Sequence, residues 1–210
     1  MTDYNRIRSS SAMQAATECL AKQDQRMAEL VGRFGPVDYQ PWQQDLFTAL
    51  ISSIISQQLS IKAAATILGR VKKLVAAEDV ISAAMLVQQQ PDALRGAGLS
   101  NAKVKYVLGL AEAVVAGDLD FKSLDICTDN EIKDRLVGYS GVGYWTAEMF
   151  LMFAIGAPDV LATADLGLKR GMKVFLGLDD YPSEEVFIQE AEIWRPYRSI
   201  ASWYLWRLAE

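Results

Sequence analysis

Residues 128–170 read TDNEIKDRLVGYSGVGYWTAEMFLMFAIGAPDVLATADLGLKR, and this stretch decides the fold. Thr128 followed three residues later by Glu131 is a capping-box signature, so a helix starts there. It can run only to about Val137, because Gly138, Gly141 and Gly143 crowd the next positions and suit a tight turn. A second helix starts at about Tyr144, carries Trp145, Ala147, Phe150, Leu151 and Ala154, and ends at Gly156. A short loop then delivers the carboxylate of Asp165. On spacing alone the glycine-rich turn has two readings. It is a tight connection between two helices, or a phosphate seat built from hairpin amides and the unpaired N–H groups of the second helix.

Working outward, helical periodicity runs over residues 12–33 through Ala16, Leu20, Met27 and Leu30, with Gly32 and Gly35-Pro36 closing the segment. Pro41 opens a strongly apolar helix in which Leu46, Phe47, Leu50, Ile51, Ile54 and Ile55 form one core stripe. The polar cluster Ser56-Gln57-Gln58 then precedes Ser60, the N-cap of the next helix, so both glutamines fall at an inter-helix corner. Over residues 80–116 shorter helices are interrupted by Pro91 and the Gly96–Gly98 turn, and Leu110, Val114 and Val115 read as core. Ser100 caps a helix whose start carries Lys103 and Lys105, where a cation opposes the macrodipole. These lysines are either solvated or meet an external anion. The C-terminal stretch gives helices from about Ser183 and about Tyr197, broken at Arg195-Pro196. No alternating pattern of useful length signals a strand, so the chain reads as all-α.

Composition limits the chemistry. The 210 residues are 51% hydrophobic and 22% charged, a soluble globular balance. No apolar run approaches the roughly 20 residues that cross a bilayer, and the N-terminus lacks the apolar core of a secretion signal. A cytoplasmic protein is expected, nucleoid-associated in a bacterium or nuclear in a eukaryote. Cys19 and Cys127 have no metal-ligand spacing and read as reduced thiols. The chain has no histidine, which excludes His triads, His metal sites and His acid–base catalysis. The net charge of −5 argues mildly against nucleic acid, but residues 60–110 carry seven Lys or Arg against three acids. A few phosphates can be met by such a local patch together with backbone amides.

The stretch L-V-G-Y-S-G-V-G-Y-W-T-A resembles the hairpin of the helix-hairpin-helix (HhH-GPD) DNA glycosylases, whose pattern places a catalytic Asp in the position of Asp165, 22 residues after Gly143. I-S-Q-Q-L-S-I-K-A-A resembles the alkyladenine branch of that family, GLSNAKVKYVLGLAEAVVAGDLDF resembles the family again, and W-R-P-Y-R-S-I-A resembles its C-terminus. The likeness covers roughly residues 28–208. It implies a two-lobed helical fold with the active-site cleft between the lobes. On that reading residues 40–125 form a central lobe with the wedge corner, 126–170 the hairpin and catalytic loop, and 1–39 with 171–210 the second lobe.

The resemblance also implies a chemistry. The partner is double-stranded DNA carrying alkylated bases, with no membrane involved and a monomer as the default. A base inside a stacked duplex must be swung out before its glycosidic bond can be cut. Gln58, with Gln57 beside it, matches the corner that pushes into the gap. Gly141, Val142, Gly143 and Thr146 match the hairpin that holds a DNA phosphate. Trp145 and Trp206 match aromatics of the base pocket, and Met149 stands where the branch can carry a Tyr. Asp165 is the expected catalytic carboxylate, although it is equally at home as a helix N-cap. Bifunctional members carry a Lys nucleophile where this chain has Trp145, so excision without strand cutting is expected. No cofactor and no iron–sulfur cluster are expected, since no four-cysteine set exists. The family implies instead a Na⁺ or K⁺ held by carbonyls of Val137, Tyr139 and Val142. Lesion preference among 3-methyladenine, 7-methylguanine, hypoxanthine and ethenoadenine stays open. The competing readings are a non-catalytic lesion-recognition DNA-binding protein and an all-α protein-interaction module.

Overall fold

The computed structural model describes residues 6–41 and 45–210. Twelve α-helices carry the described chain, which divides into two compact units: residues 1–43 with 151–210, and residues 44–150.

The discontinuous unit contains α1 (Ser10–Gln23), α2 (Gln25–Phe34), α10 (Leu166–Leu176), α11 (Glu184–Ala191) and α12 (Arg198–Ala209). The periodic segment over 12–33 is thus two helices. Asp24 separates them by adopting an extended backbone and capping α2 through its side chain. Buried Asp24 also accepts a 3.0 Å hydrogen bond from the Trp194 indole. At the centre lies α12, whose residues Ser199 to Leu205 are all buried. Such all-round burial marks a helix enclosed by neighbours rather than one with a wet face. Its polar tips are satisfied from α2's end and beyond: the Tyr204 hydroxyl donates to the Gly35 carbonyl, and the Trp203 indole to Asp38.

The continuous unit contains α3 (Leu46–Ser56), α4 (Ile61–Val75), α5 (Ala83–Leu86), α6 (Pro91–Gly96), α7 (Asn101–Ala116), α8 (Asp129–Val137) and α9 (Tyr144–Phe150). Asp45 caps α3; the part of the expected helix over residues 42–44 lies outside the described residues. Five of the six stripe residues are buried, from Phe47 to Ile55. The all-α expectation holds, with one small addition. Ala76–Ala77 and Val80–Ile81 pair as a two-stranded antiparallel ribbon, with Glu78 and Asp79 at positive φ in the turn. Two residues per strand leave no alternating pattern for a sequence reading to detect. Val115, read as core, is 57% exposed, because it sits on the outer side of α7 near its C-terminus.

The expected division at residues 125/126 and 170/171 needs correction. Residues 126–150 belong with 44–125, whereas 151–170 belong with the terminal segments. The chain crosses between units inside one helical run, where α9 gives way to a π-helical turn over Leu151–Ile155. Physical ties account for the placement of 151–170. The Ile7 N–H donates to the Gly156 carbonyl, and the α12 start holds the following loop. There Ser199 donates its hydroxyl to the Ala157 carbonyl and accepts from the Val160 N–H, while Arg198 grips Asp159 with two bonds of 2.7 and 2.9 Å.

Candidate functional site

The candidate catalytic carboxylate lies in the discontinuous unit. Asp165 is the N-cap of α10, and its Oδ1 accepts hydrogen bonds from the Leu168 N–H at 2.7 Å and the Trp206 indole at 2.8 Å. The sequence allowed capping and catalysis as joint roles; capping is realised, and the indole bond adds orientation from α12. Two glycines one turn apart make that approach geometrically feasible. A Cβ on Gly171 would lie 2.1 Å from the Leu205 carbonyl oxygen, so α10 and α12 are in backbone contact there. A Cβ on Gly167 would lie 2.9 Å from the Trp206 ring and 3.1 Å from Asp165 Oδ1. The Trp206 ring lies 5.7 Å from that of Phe153, which in turn packs edge-on against Tyr39 at 4.9 Å. Burial pushes the Tyr39 phenol well above its ordinary pKa, which keeps this aromatic row neutral.

The candidate DNA surface lies in the continuous unit. The capping box forms as the sequence predicted: the Glu131 N–H donates to the Thr128 hydroxyl, and the Glu131 carboxylate accepts from the Thr128 N–H. Helix α8 ends at Val137, and α9 starts at Tyr144. Between them Gly141 has φ +89, and a Cβ there would meet the Tyr106 ring at 2.4 Å. Glycine at 141 is therefore demanded twice, by backbone conformation and by the ring. Gly143 differs: nothing lies within 4 Å of its would-be Cβ, so no contact inside the protein asks for glycine there.

Two of the expected hairpin residues have partners inside the protein. The Val142 N–H is taken by the Tyr139 carbonyl at 3.1 Å, so it is not a donor left for a phosphate. Thr146 is buried, with its hydroxyl accepting from the Gln57 amide at 3.2 Å. The wedge assignment also splits. Gln57 donates from Nε2 to the Gly141 carbonyl at 2.9 Å as well as to Thr146, which makes it an internal strut, not a wedge. Gln58 is exposed, with φ +57, a left-handed conformation uncommon for a non-glycine residue. Trp145 is 43% exposed, and Met149 is buried behind it on the same helix. A groove of about 880 Å³ is lined by Gln57, Gln58, Tyr106, Gly141, Gly143 and Trp145 among others.

Sequence reasoning missed Tyr106, Arg198, Ser199, Gly167 and Gly171. Only the glycine pair at i and i+4 carried a signal, that of a close helix contact. Lys103, read as solvated or facing an outside anion, instead donates to the Ile55 and Gln57 carbonyls. Lys105 is exposed. Among the described residues no group of three His, Cys, Asp or Glu could hold a metal ion, and no helix is long and apolar enough to cross a membrane.

The chain is similar to known proteins. The chain is 28% identical over 186 residues to DNA-3-methyladenine glycosylase 1 of Schizosaccharomyces pombe, covering 88% of this chain and 81% of that protein. The crystal structure of a DNA-3-methyladenine glycosidase from Bacillus halodurans superposes with a TM-score of 0.82 at 37% identity, over 92% of this chain and 88% of that one. The S. pombe 3-methyladenine DNA glycosylase in complex with abasic DNA superposes with a TM-score of 0.81 at 27% identity, over 92% and 95%. Residues 51–196, from the core stripe of α3 through the hairpin and Asp165 to the turn before α12, match the model of one family, and the chain belongs to it: the HhH-GPD superfamily of base excision DNA repair proteins.

Proposed function

We propose that this protein is a monofunctional DNA glycosylase that removes alkylated purines such as 3-methyladenine and 7-methylguanine from duplex DNA. The observation that carries the reading is Asp165, a carboxylate fixed by the first turn of α10 and the Trp206 indole together. An N3- or N7-alkylated purine nucleotide is cationic. When its glycosidic bond breaks, the base leaves with the bonding electrons as a neutral purine, and the sugar is left as an oxocarbenium-like cation. The Asp165 carboxylate stabilises that charge, and a water adding to the sugar carbon gives up its proton to the same carboxylate. Trp206, bonded to Asp165, supplies an aromatic face for the cationic base, at about 0.5–2 kcal/mol. Gln58 fills the vacated stack, offsetting part of an unstacking cost of a few kcal/mol.

The carbonyls of Val137, Tyr139 and Val142 are neutral hard oxygens with no carboxylate in the set, which suits a monovalent cation over Mg²⁺ or Zn²⁺. Such an ion would supply positive charge beneath a DNA phosphate. Trp145 stands in the position of the lyase lysine, which supports hydrolysis without strand cutting.

The decisive experiment is release of free base from methylated duplex DNA by the wild type and by Asp165→Asn. The reading expects release by the wild type alone, leaving an abasic strand that breaks only in alkali. Strand nicking without alkali would sink the monofunctional assignment. Equal release by Asp165→Asn would remove Asp165 from the chemistry.

A further inference from the structure

Four carbonyls at the C-terminal end of α3 find partners, two of them in an unusual way. A helix end leaves its last carbonyls without intrahelical partners. Here Ile54 O accepts from the Gln57 N–H at 3.3 Å, and Ser56 O from the Leu59 N–H at 3.2 Å. The other two, Ile55 O and Gln57 O, are taken by one ammonium group, Lys103 Nζ, at 2.7 and 2.6 Å. Lys103 reaches across from the first turn of α7, leaving an N-terminus where its charge is unfavourable for a C-terminus where it is favourable. Partial burial lowers its pKa by desolvation, while its donors are directed at these two carbonyls. The same helix sends Tyr106 onto Gly141. Gln57 closes the circuit from the corner side, with its amide donating to the Gly141 carbonyl and the Thr146 hydroxyl. Exposed Gln58, at φ +57, stands between the residue Lys103 holds and the start of α4.

We propose that Lys103 and Gln57 are positioning residues, which hold Gln58 in its left-handed conformation and lock the corner to the hairpin. Gripping the phosphate and filling the stack then happen in a single register. The inference rests on the glycosylase reading above, because only a base-flipping enzyme needs both acts coordinated.

The test uses single-turnover base release from two duplexes carrying the same 7-methylguanine, one fully paired and one with a one-nucleotide gap opposite the lesion. The gap removes the pairing partner of the lesion, which lowers the extrusion cost that a wedge must offset. For Lys103→Met and Gln57→Leu, release from the paired duplex is expected to fall about tenfold, roughly the loss of one well-placed contact. Release from the gapped duplex should stay within about threefold of wild type, on the same scale. Affinity for abasic duplex should change little. Gln58→Ala, which leaves the network intact, should reproduce the same context dependence. Equal losses on both duplexes would make Lys103 and Gln57 general structural residues and overturn the proposal. So would unchanged rates on both, or full-rate excision of the paired lesion by Gln58→Ala. Wild-type protein that releases no base from either duplex overturns the glycosylase reading and the inference with it. Wild-type release with unaffected variants overturns the inference alone.

Discussion

The surroundings of Asp165 and the corner at Gln57 hold candidate functional side chains by opposite means. Around Asp165 the precision comes from closeness: α10 lies against α12 with no room for a methyl group at Gly171 and almost none at Gly167. Around Gln57 it comes from polar bonds, two from Lys103 and two from the Gln57 amide. Close packing fails abruptly, because a backbone contact has no flexible end to yield. Hydrogen bonds fail gradually, since water can replace a lost partner at a part-exposed corner. Mutation should therefore cost stability where backbone meets backbone, and function where a side chain can yield.

Gly171→Ala gives the largest effect expected on this contrast. Its Cβ would overlap the Leu205 carbonyl, and both helices would have to separate. Overpacking of this kind costs about 3 kcal/mol, the upper end of the usual range, or on the order of 6–12 °C of melting temperature in a domain of this size. A thermal melt within 1 °C of wild type would show that the two helices are not locked.

Gly167→Ala should separate position from stability within the same helix pair. Its Cβ meets the indole of Trp206, a side chain able to turn. Turning breaks the 2.8 Å bond to Asp165. Excision should drop 10- to 100-fold, as expected for a misplacement near 1 Å, while abasic-DNA affinity and melting temperature stay close to wild type. Undiminished excision would mean that the indole does not orient the carboxylate.

The same contrast explains what the sequence made legible. The capping box at Thr128, the end of α8 at Val137, the N-cap Ser60 and the capping role of Asp165 all depend on residues within four positions of one another, and each appears as read. The division between units did not follow, since it depends on Ser199 and Arg198 reaching back some forty residues to the loop at 157–160. The internal bonds of Gln57 escape a sequence reading for a related reason. A polar residue at a helix corner looks solvated until its partners are known, and these lie 84 and 89 residues away. Lys103 shows the same blindness: its poor placement on its own helix was visible, but the carbonyls that justify it belong to another. Trp206 reads as a base-pocket aromatic by resemblance, whereas its bond to Asp165 exists only in the fold.

Within the hairpin, Gly141 and Gly143 offer a sharper form of the comparison. Gly141→Ala forces a Cβ into the Tyr106 ring at positive φ, so a loss of about 1–3 kcal/mol is expected. Gly143→Ala meets open space and should leave melting unchanged or raise it slightly, through a stiffer unfolded chain. If the open space is kept for a DNA backbone, the same variant should bind abasic duplex about tenfold more weakly, roughly one lost close contact. Equal affinity of Gly143→Ala and wild type, measured by titration at fixed salt, would confine the glycine requirement to Gly141.

The smallest expected effect concerns Asp24, where packing and polar bonding meet in one buried residue. Burial opposes its ionisation, but the Trp194 indole, the Arg26 N–H and the Arg26 guanidinium with its charge together outweigh that cost and hold its pKa below the ordinary carboxylate value. A depressed folded pKa means that the ionised group stabilises the fold above the unfolded pKa of 3.8, and that this contribution is lost as pH falls through the folded value. Asp24→Asn keeps the shape but turns an amide toward one of the donors. At pH 7 it should melt about 2–5 °C below wild type, the effect of one charged hydrogen bond. Below pH 3.8 the gap should close, because protonated Asp24 presents a similar group to Trp194 and Arg26. A difference in melting temperature that stays constant from pH 7 to pH 3 would assign the Asp24 contribution to fit alone, with no part carried by its charge.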